Sequence, residues 1–200
     1  MEAEERILVA AKKVFTEKGY AAARMQEIAD TAGINKGLLH YYFRSKEKLF
    51  MAIFDEAFDK FTLKINRIFE MDKPLFEKIE VLVHEYIDMM MENPALPGFV
   101  LYELNQKGES FVKDIMAREG KPNPLPLIGQ IQMEIDAGRL RADINPFQLV
   151  LNILSMCVFP FVARPLFQGI IQADDRFYMQ IMENRKSAIV AFAINAIRPG

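Results

Sequence analysis

Apolar residues recur at helical spacing along nearly the whole chain. Ile7, Leu8, Ala11, Val14 and Phe15 fall on one face of a helix predicted over 3–18, with Gly19 as its stop. A short helix follows over 25–31, turning Ile28, Ala29 and Ala32 inward, and small Ala29 permits a close crossing. Gly33 marks a tight turn, and a second short helix is expected over 36–43. A longer one opens after Ser45, its apolar positions running through Phe50, Ile53, Phe54, Phe58, Phe61, Ile65 and Phe69 until Pro74 breaks the pattern. At 1.5 Å per residue, about 25 residues make a rod of roughly 40 Å.

Beyond Pro74 the pattern turns Met-rich, aromatic and interrupted. Helices are predicted over 75–91, 99–106, 109–118 and 127–138, with Pro122, Pro124 and Pro126 in the loop before the last of these. Asn145 and Pro146 read as the cap and first position of a helix to about Ala163, bent or tightened by Pro160. A final helix over 174–197 carries a wide stripe that includes Phe177, Tyr178, Ile181, Met182, Ile189 and Phe192. The expected fold is all-α: a three-helix head containing a helix-turn-helix over 1–48, then a larger helical domain over 49–200.

The head holds the most informative stretch. Stepping 100° per residue from Lys36 collects Lys36, Gly37, His40, Tyr41 and Arg44 on one arc and Leu38, Leu39, Tyr42 and Phe43 on the other. Glycine inside a helix costs about 1 kcal/mol relative to alanine, so Gly37 suggests close approach by another surface. Asn35 can cap this helix and Ser45 the next. Lys46 and Lys48 in that next first turn oppose the helix dipole unless an anion lies near. From Gly33 to Lys48 four cations stand against Glu47, a local excess of +3 in a chain of net charge −2. The second helix of a helix-turn-helix is the element that enters a DNA major groove.

Composition narrows the alternatives. At 51 % hydrophobic and 26 % charged the chain is globular, and its one cysteine, Cys157, excludes an internal disulfide. Cys157 sits in an apolar run, where packing is the expected role. With His40, His84 and Cys157 as the imidazole and thiol donors, a metal site has little to build on, and no cofactor is expected. There is no phosphate-binding glycine loop and no arguable catalytic triad, so an enzyme is not expected. The acidic start is unlike a signal peptide, and polar residues interrupt the apolar stretch over 147–167, which argues against membrane insertion and for a cytoplasmic protein.

Phe15 to Tyr20 (Phe-x-x-x-Gly-Tyr), Ile28 to Ile34 (Ile-Ala-x-x-Ala-Gly-Ile), Lys36 to Phe43 (Lys-Gly-x-Leu-x-Tyr-x-Phe) and the Lys-rich Ser45 to Phe50 follow one another without a gap. In these motifs the first quarter of the chain resembles the tetracycline-repressor (TetR) family of bacterial transcription regulators. The resemblance implies a homodimer formed through the last two helices, a C-terminal effector pocket, and a pseudo-palindromic operator read by heads about 34 Å apart. The candidate DNA-binding set is Arg24, Gln26, Asn35, Lys36, Gly37, Leu38, His40, Tyr41, Lys46 and Lys48, with Lys36, Gly37 and His40 toward bases and Tyr41, Lys46, Lys48 and Arg24 toward phosphates. Two departures stand out: Ala23 and Arg24 replace the usual capping Ser or Thr, and Leu38 stands where Thr is frequent. Candidate pocket residues are Tyr86, Met89, Met90, Phe99, Tyr102, Glu103, Met116, Met133, Asn152, Met156 and Phe159, with Glu85 or Glu103 available to a cationic group. Their Met and aromatic content suggests a small, largely apolar effector that releases a repressor from DNA. The competing reading is a helical carrier of hydrophobic ligands that binds no DNA.

Overall fold

A computed structural model describes residues 2–199, with eleven helices and no strand among them. The chain divides into two compact units, Met1–Lys60 with Asn93–Val112 and Phe61–Glu92 with Lys113–Gly200. The first unit thus takes in more than the three helices of the expected head over 1–48.

The first unit contains α1 (Ala3–Ala22), α2 (Met25–Ala32), α3 (Lys36–Tyr42), the start of α4 (Lys46–Glu70), α6 (Leu96–Lys107) and the start of α7 (Glu109–Met116). Gly19 interrupts α1 at φ 73, ψ 164, where the sequence places the stop, and the Ala23 N–H returns to the Gly19 carbonyl at 3.2 Å. Gly33 ends α2 in the left-handed conformation. Its own N–H bonds Asp30 O at 3.2 Å and that of Ile34 bonds Ala29 O at 3.1 Å, so two terminal carbonyls are satisfied. Ile7, Ala11, Phe15, Ile28, Ala29, Leu39, Leu49 and Phe50 are buried in the core so formed. Aromatic rings extend it: Phe50 meets Phe15 edge-on at 4.7 Å and stacks on Phe99 at 4.1 Å, while Tyr20 lies 5.2 Å from Phe99. Such pairs contribute about 0.5–1.5 kcal/mol each beyond their buried area.

The second unit contains the rest of α4, α5 (Leu75–Glu92), the end of α7, α8 (Leu125–Asp136), α9 (Pro146–Val162), α10 (Arg164–Ile171) and α11 (Asp175–Ile197). Its core includes Ile79, Leu82, Val83 and Ile87 of α5, Leu127 and Ile131 of α8, Ile153 and Cys157 of α9, and Tyr178 and Ile189 of α11. Polar contacts help tie this unit together. Asn66 of α4 donates to the carbonyls of Gly120 (3.4 Å) and Lys121 (2.9 Å) and accepts from the Asn123 N–H (3.0 Å), pinning the proline-rich loop. Lys78 of α5, buried, donates to the Phe69 carbonyl at 3.1 Å near the negative end of α4. Pro160 has no N–H for the carbonyl of Met156 one turn back, and the Arg185 Nε of α11 donates there at 3.1 Å. The Tyr178 hydroxyl donates to the carbonyl of Pro160 itself at 2.7 Å.

Expected and observed elements differ where proline reads in sequence as a barrier. α6 begins at Leu96 with Pro97 in its first turn, and α8 at Leu125 with Pro126 likewise, positions at which the missing N–H would have no partner anyway. For the same reason Pro165 opens α10 in a stretch expected to be a connector. No single helix among the described residues is long and apolar enough to cross a membrane.

Candidate nucleic-acid interface

The outer side of α3 is built from the turn upward. The left-handed Gly33 reverses the chain, and the Asn35 side chain accepts the Leu38 N–H at 2.8 Å, capping α3 as its sequence predicts. A Cβ at position 37 would meet that capping oxygen at 3.2 Å, so Gly37 leaves room for the cap as well as for an approaching surface. Leu39 and Phe43 are buried beneath, holding the helix to the head. Lys36, Gly37, His40, Tyr41 and Arg44 are all exposed, Tyr41 by 79 %.

Charge and hydrogen bonding follow from this arrangement. Among the described residues Lys36, Arg44 and Lys48 have no carboxylate partner. Two acidic residues of the head are occupied by other cations: Lys18 holds Glu27 at 2.8 Å and Lys107 holds Glu47 at 2.8 Å. The Lys18 hydrogen bond, chiefly, keeps the Glu27 carboxyl below its usual range. His40 Nδ1 faces the Arg44 carbonyl at 3.3 Å. A carbonyl only accepts, so Nδ1 carries the hydrogen and Nε2 of the neutral ring remains an acceptor. Gln26 is exposed with its amide nitrogen on Asp30 at 2.8 Å, and the partly buried Leu38 offers apolar contact alone. Arg24 precedes α2 without a side-chain cap, as its replacement of Ser or Thr implies.

Lys46 is the member of the set that faces inward. Its ammonium donates to the carbonyls of Tyr20 (2.8 Å), Ala21 (3.1 Å) and Ala23 (3.1 Å) and lies 4.7 Å from the Tyr20 ring centroid. All three of its N–H groups have acceptors, so the charge expected on a phosphate closes the end of α1 instead. Burial first, then the neighbouring Tyr102, Glu47 and Glu103, push the Tyr20 hydroxyl up to about 12. Tyr42, expected inward, is exposed beside Tyr41 with the rings edge-on at 5.5 Å. The backbone becomes extended at Phe43, so the helical wheel no longer applies at the end of so short a helix. Arg44, placed on the arc by sequence but outside α3 in the structure, is exposed with its carbonyl on His40 and joins the candidate contacts.

The pocket candidates do not converge. Phe99, Tyr102 and Glu103 belong to the first unit, where Phe99 is core and Glu103 is buried against Lys107 at 2.8 Å. Glu103, then Glu47, hold the Lys107 ammonium above its usual range. Met116, Met133, Asn152 and Phe159 are exposed on the second unit. Only Tyr86, Met89, Met90 and Met156 lie in or against its core, Tyr86 edge-on to Phe61 at 4.8 Å and its hydroxyl pushed up by burial. Glu85 is paired with Lys64. Met and aromatic residues at helical spacing have the same pattern in a packed core as in a pocket wall, which is why the set scatters. Cys157 is buried, and that burial pushes its thiol up to about 12, as expected of a packing residue.

An all-helical chain with a capped helix-turn-helix and an open, basic outer arc defines a DNA-binding regulator. Residues 7–53 match the family model described as bacterial regulatory proteins, tetR family, and residues 76–191 match the one described as tetracyclin repressor-like, C-terminal domain. The chain belongs to the TetR family of bacterial transcriptional regulators. It is 28 % identical over 211 residues to the transcriptional regulator RutR of Escherichia coli K12, a match covering 98 % of this chain and 91 % of RutR. Against the transcriptional activator FasR of Mycolicibacterium smegmatis it is 31 % identical over 85 residues, 42 % of this chain and only 39 % of FasR. The fold superimposes on the TetR-family regulator PfmR of Thermus thermophilus with a TM-score of 0.66 at 21 % identity, over 93 % of this chain and 97 % of that one.

Proposed function

We propose that this chain is a homodimeric, effector-responsive repressor that binds a pseudo-palindromic operator in the cytoplasm. The observation that carries it is the outer side of α3, with Lys36, His40 and Tyr41 exposed around Gly37 and Arg44 exposed just beyond the helix, while Leu39 and Phe43 anchor the opposite side. Lys36 and His40 approach base edges. Arg24, Tyr41, Arg44 and Lys48 hold phosphates and fix register. Lys46 acts at second hand by fixing the end of α1 against α4. Phe147, Leu151 and Phe159 of α9 and Phe177 and Phe192 of α11 are 45–66 % exposed, a surface suited to a second copy. The effector is small and largely apolar, with Tyr86, Met89, Met90 and Met156 as the remaining candidates for its contacts.

Selection of bound duplexes from a random pool by the full-length chain tests the DNA half. The expected outcome is a two-fold symmetric consensus with half-sites about one helical turn apart, or at a related spacing, and binding that falls steeply with salt. Retention of no duplex at low ionic strength overturns the reading. Release of that consensus by a library of apolar compounds tests the effector half, and DNA affinity indifferent to all of them removes it.

A further inference from the structure

α10 carries apolar residues on its outer side as well as its inner one. The eight-residue helix leaves α9 at a bend of 70°, and none of its residues is fully buried. On its inner side Phe167 packs against the core beside a well-held polar network. Arg164 lies over the Tyr178 ring at 5.0 Å, pairs with Asp175 at 2.8 Å and bonds Gln168 at 3.2 Å, while Gln168 itself donates to Asp175 at 2.8 Å. The outer side presents Pro165, Leu166, Gly169 and Ile170, with Leu166 60 % and Ile170 68 % exposed. A helix at the surface of a globular protein ordinarily turns its apolar stripe to the core. Here Phe167 and the ion pairs and hydrogen bonds beside it hold the helix with a second apolar edge, Leu166 and Ile170, facing out.

We infer that the Leu166–Ile170 edge of α10 docks on a second copy of this chain, as a third element of the dimer interface. This rests on the dimer reading of α9 and α11 given above. Continuity favours a second copy as the occupant. Phe159 of α9 meets Phe167 of α10 edge-on at 5.9 Å, and exposed Phe177 stands in the first turn of α11, so apolar surface runs from the proposed interface onto α10. The four outer positions of α10 carry no charge, which suits the apolar centre of a homodimer interface and not nucleic acid or an acidic peptide.

Sedimentation of the full-length chain across a concentration series tests the inference. Leu166→Lys/Ile170→Lys should raise the dimer dissociation constant at least about a hundredfold, because a two-fold interface feels each substitution twice. Leu125→Lys/Met133→Lys, on exposed apolar positions of α8, should leave it within about threefold. Should the lysine variant fail to fold, Leu166→Ala/Ile170→Ala should still cost about tenfold. A wild-type dissociation constant in a folded α10 variant overturns the inference and leaves the dimer itself standing. So does flotation of the wild type, but not the alanine variant, with phosphatidylcholine vesicles while both dimerise alike. A wild-type chain that is monomeric throughout removes the dimer reading and this inference together.

Discussion

Lys46 and Lys48 stand two positions apart at the start of α4 and face different partners. Lys46 satisfies three carbonyls at the end of α1, whereas the Lys48 ammonium is free at the surface. Lys46→Gln should therefore destabilise the fold by about 1–3 kcal/mol, the range for a hydrogen-bonded charge removed from its acceptors. Lys48→Gln should leave unfolding within about 0.5 kcal/mol and weaken binding to every duplex alike. Urea denaturation and salt titrations of DNA binding on the two variants check this, and a reversal of the two effects would exchange the roles. The difference is invisible in sequence because the carbonyls lie 23 to 26 positions upstream. The Asn35 cap is legible because its partner is three residues away.

At the scale of the helix, Pro160 and Arg185 form one device spread over α9 and α11. If Arg185 serves the carbonyl that Pro160 leaves unpaired, the two residues are thermodynamically coupled. Arg185→Met should cost about 1–2 kcal/mol in the wild type and about 1 kcal/mol less in a Pro160→Ala background, where residue 160 supplies its own N–H. Urea unfolding of the double-mutant cycle at fixed protein concentration measures the coupling, and strict additivity would refute it. Lys78 gives α4 a second device with a pH signature. Burial lowers the Lys78 ammonium below its ordinary 10.5, with Asp72 working the other way. The unfolded chain then binds more protons between the lowered value and 10.5, so stability rises with pH across that interval. The stabilising contribution is complete above 10.5 and is lost as pH falls through the folded value. Lys78→Met should lack this rise, so the stability difference between wild type and variant should move in favour of wild type as pH rises toward 10.5. Helix existence is legible wherever an apolar stripe runs unbroken, and α10 escapes because Pro165 in its first turn reads in sequence as a barrier.

Over the whole molecule, the exposed basic arc proposed to meet DNA is readable in the sequence, whereas the proposed effector contacts are not. The face depends on neighbours within one short helix, which periodicity captures, while a pocket depends on which of several Met and aromatic stripes fails to find a packing partner. Phe99 finds one in Phe50, and Glu103 finds Lys107. The net charge of −2 likewise hides the local excess of +3 from Gly33 to Lys48. Arg24, Arg44 and Lys48, the cations assigned to phosphates, are exposed on each head, so a dimer engaging both half-sites presents six of them. At about 0.9 counterions released per phosphate neutralised, the logarithm of affinity should fall with the logarithm of salt with a slope of about −5. Lys48→Gln removes two of the six and should flatten the slope by about 2, while Lys46→Gln should leave it unchanged because that charge is held at the end of α1. Equilibrium binding by fluorescence anisotropy across a salt series on one selected duplex measures all three slopes. A wild-type slope shallower than about −3 would mean that the second head adds little, because three phosphate cations are all that one head supplies. The dimer would then hold its operator by one half-site at a time, and two-fold symmetry in the selected DNA should be weak as well.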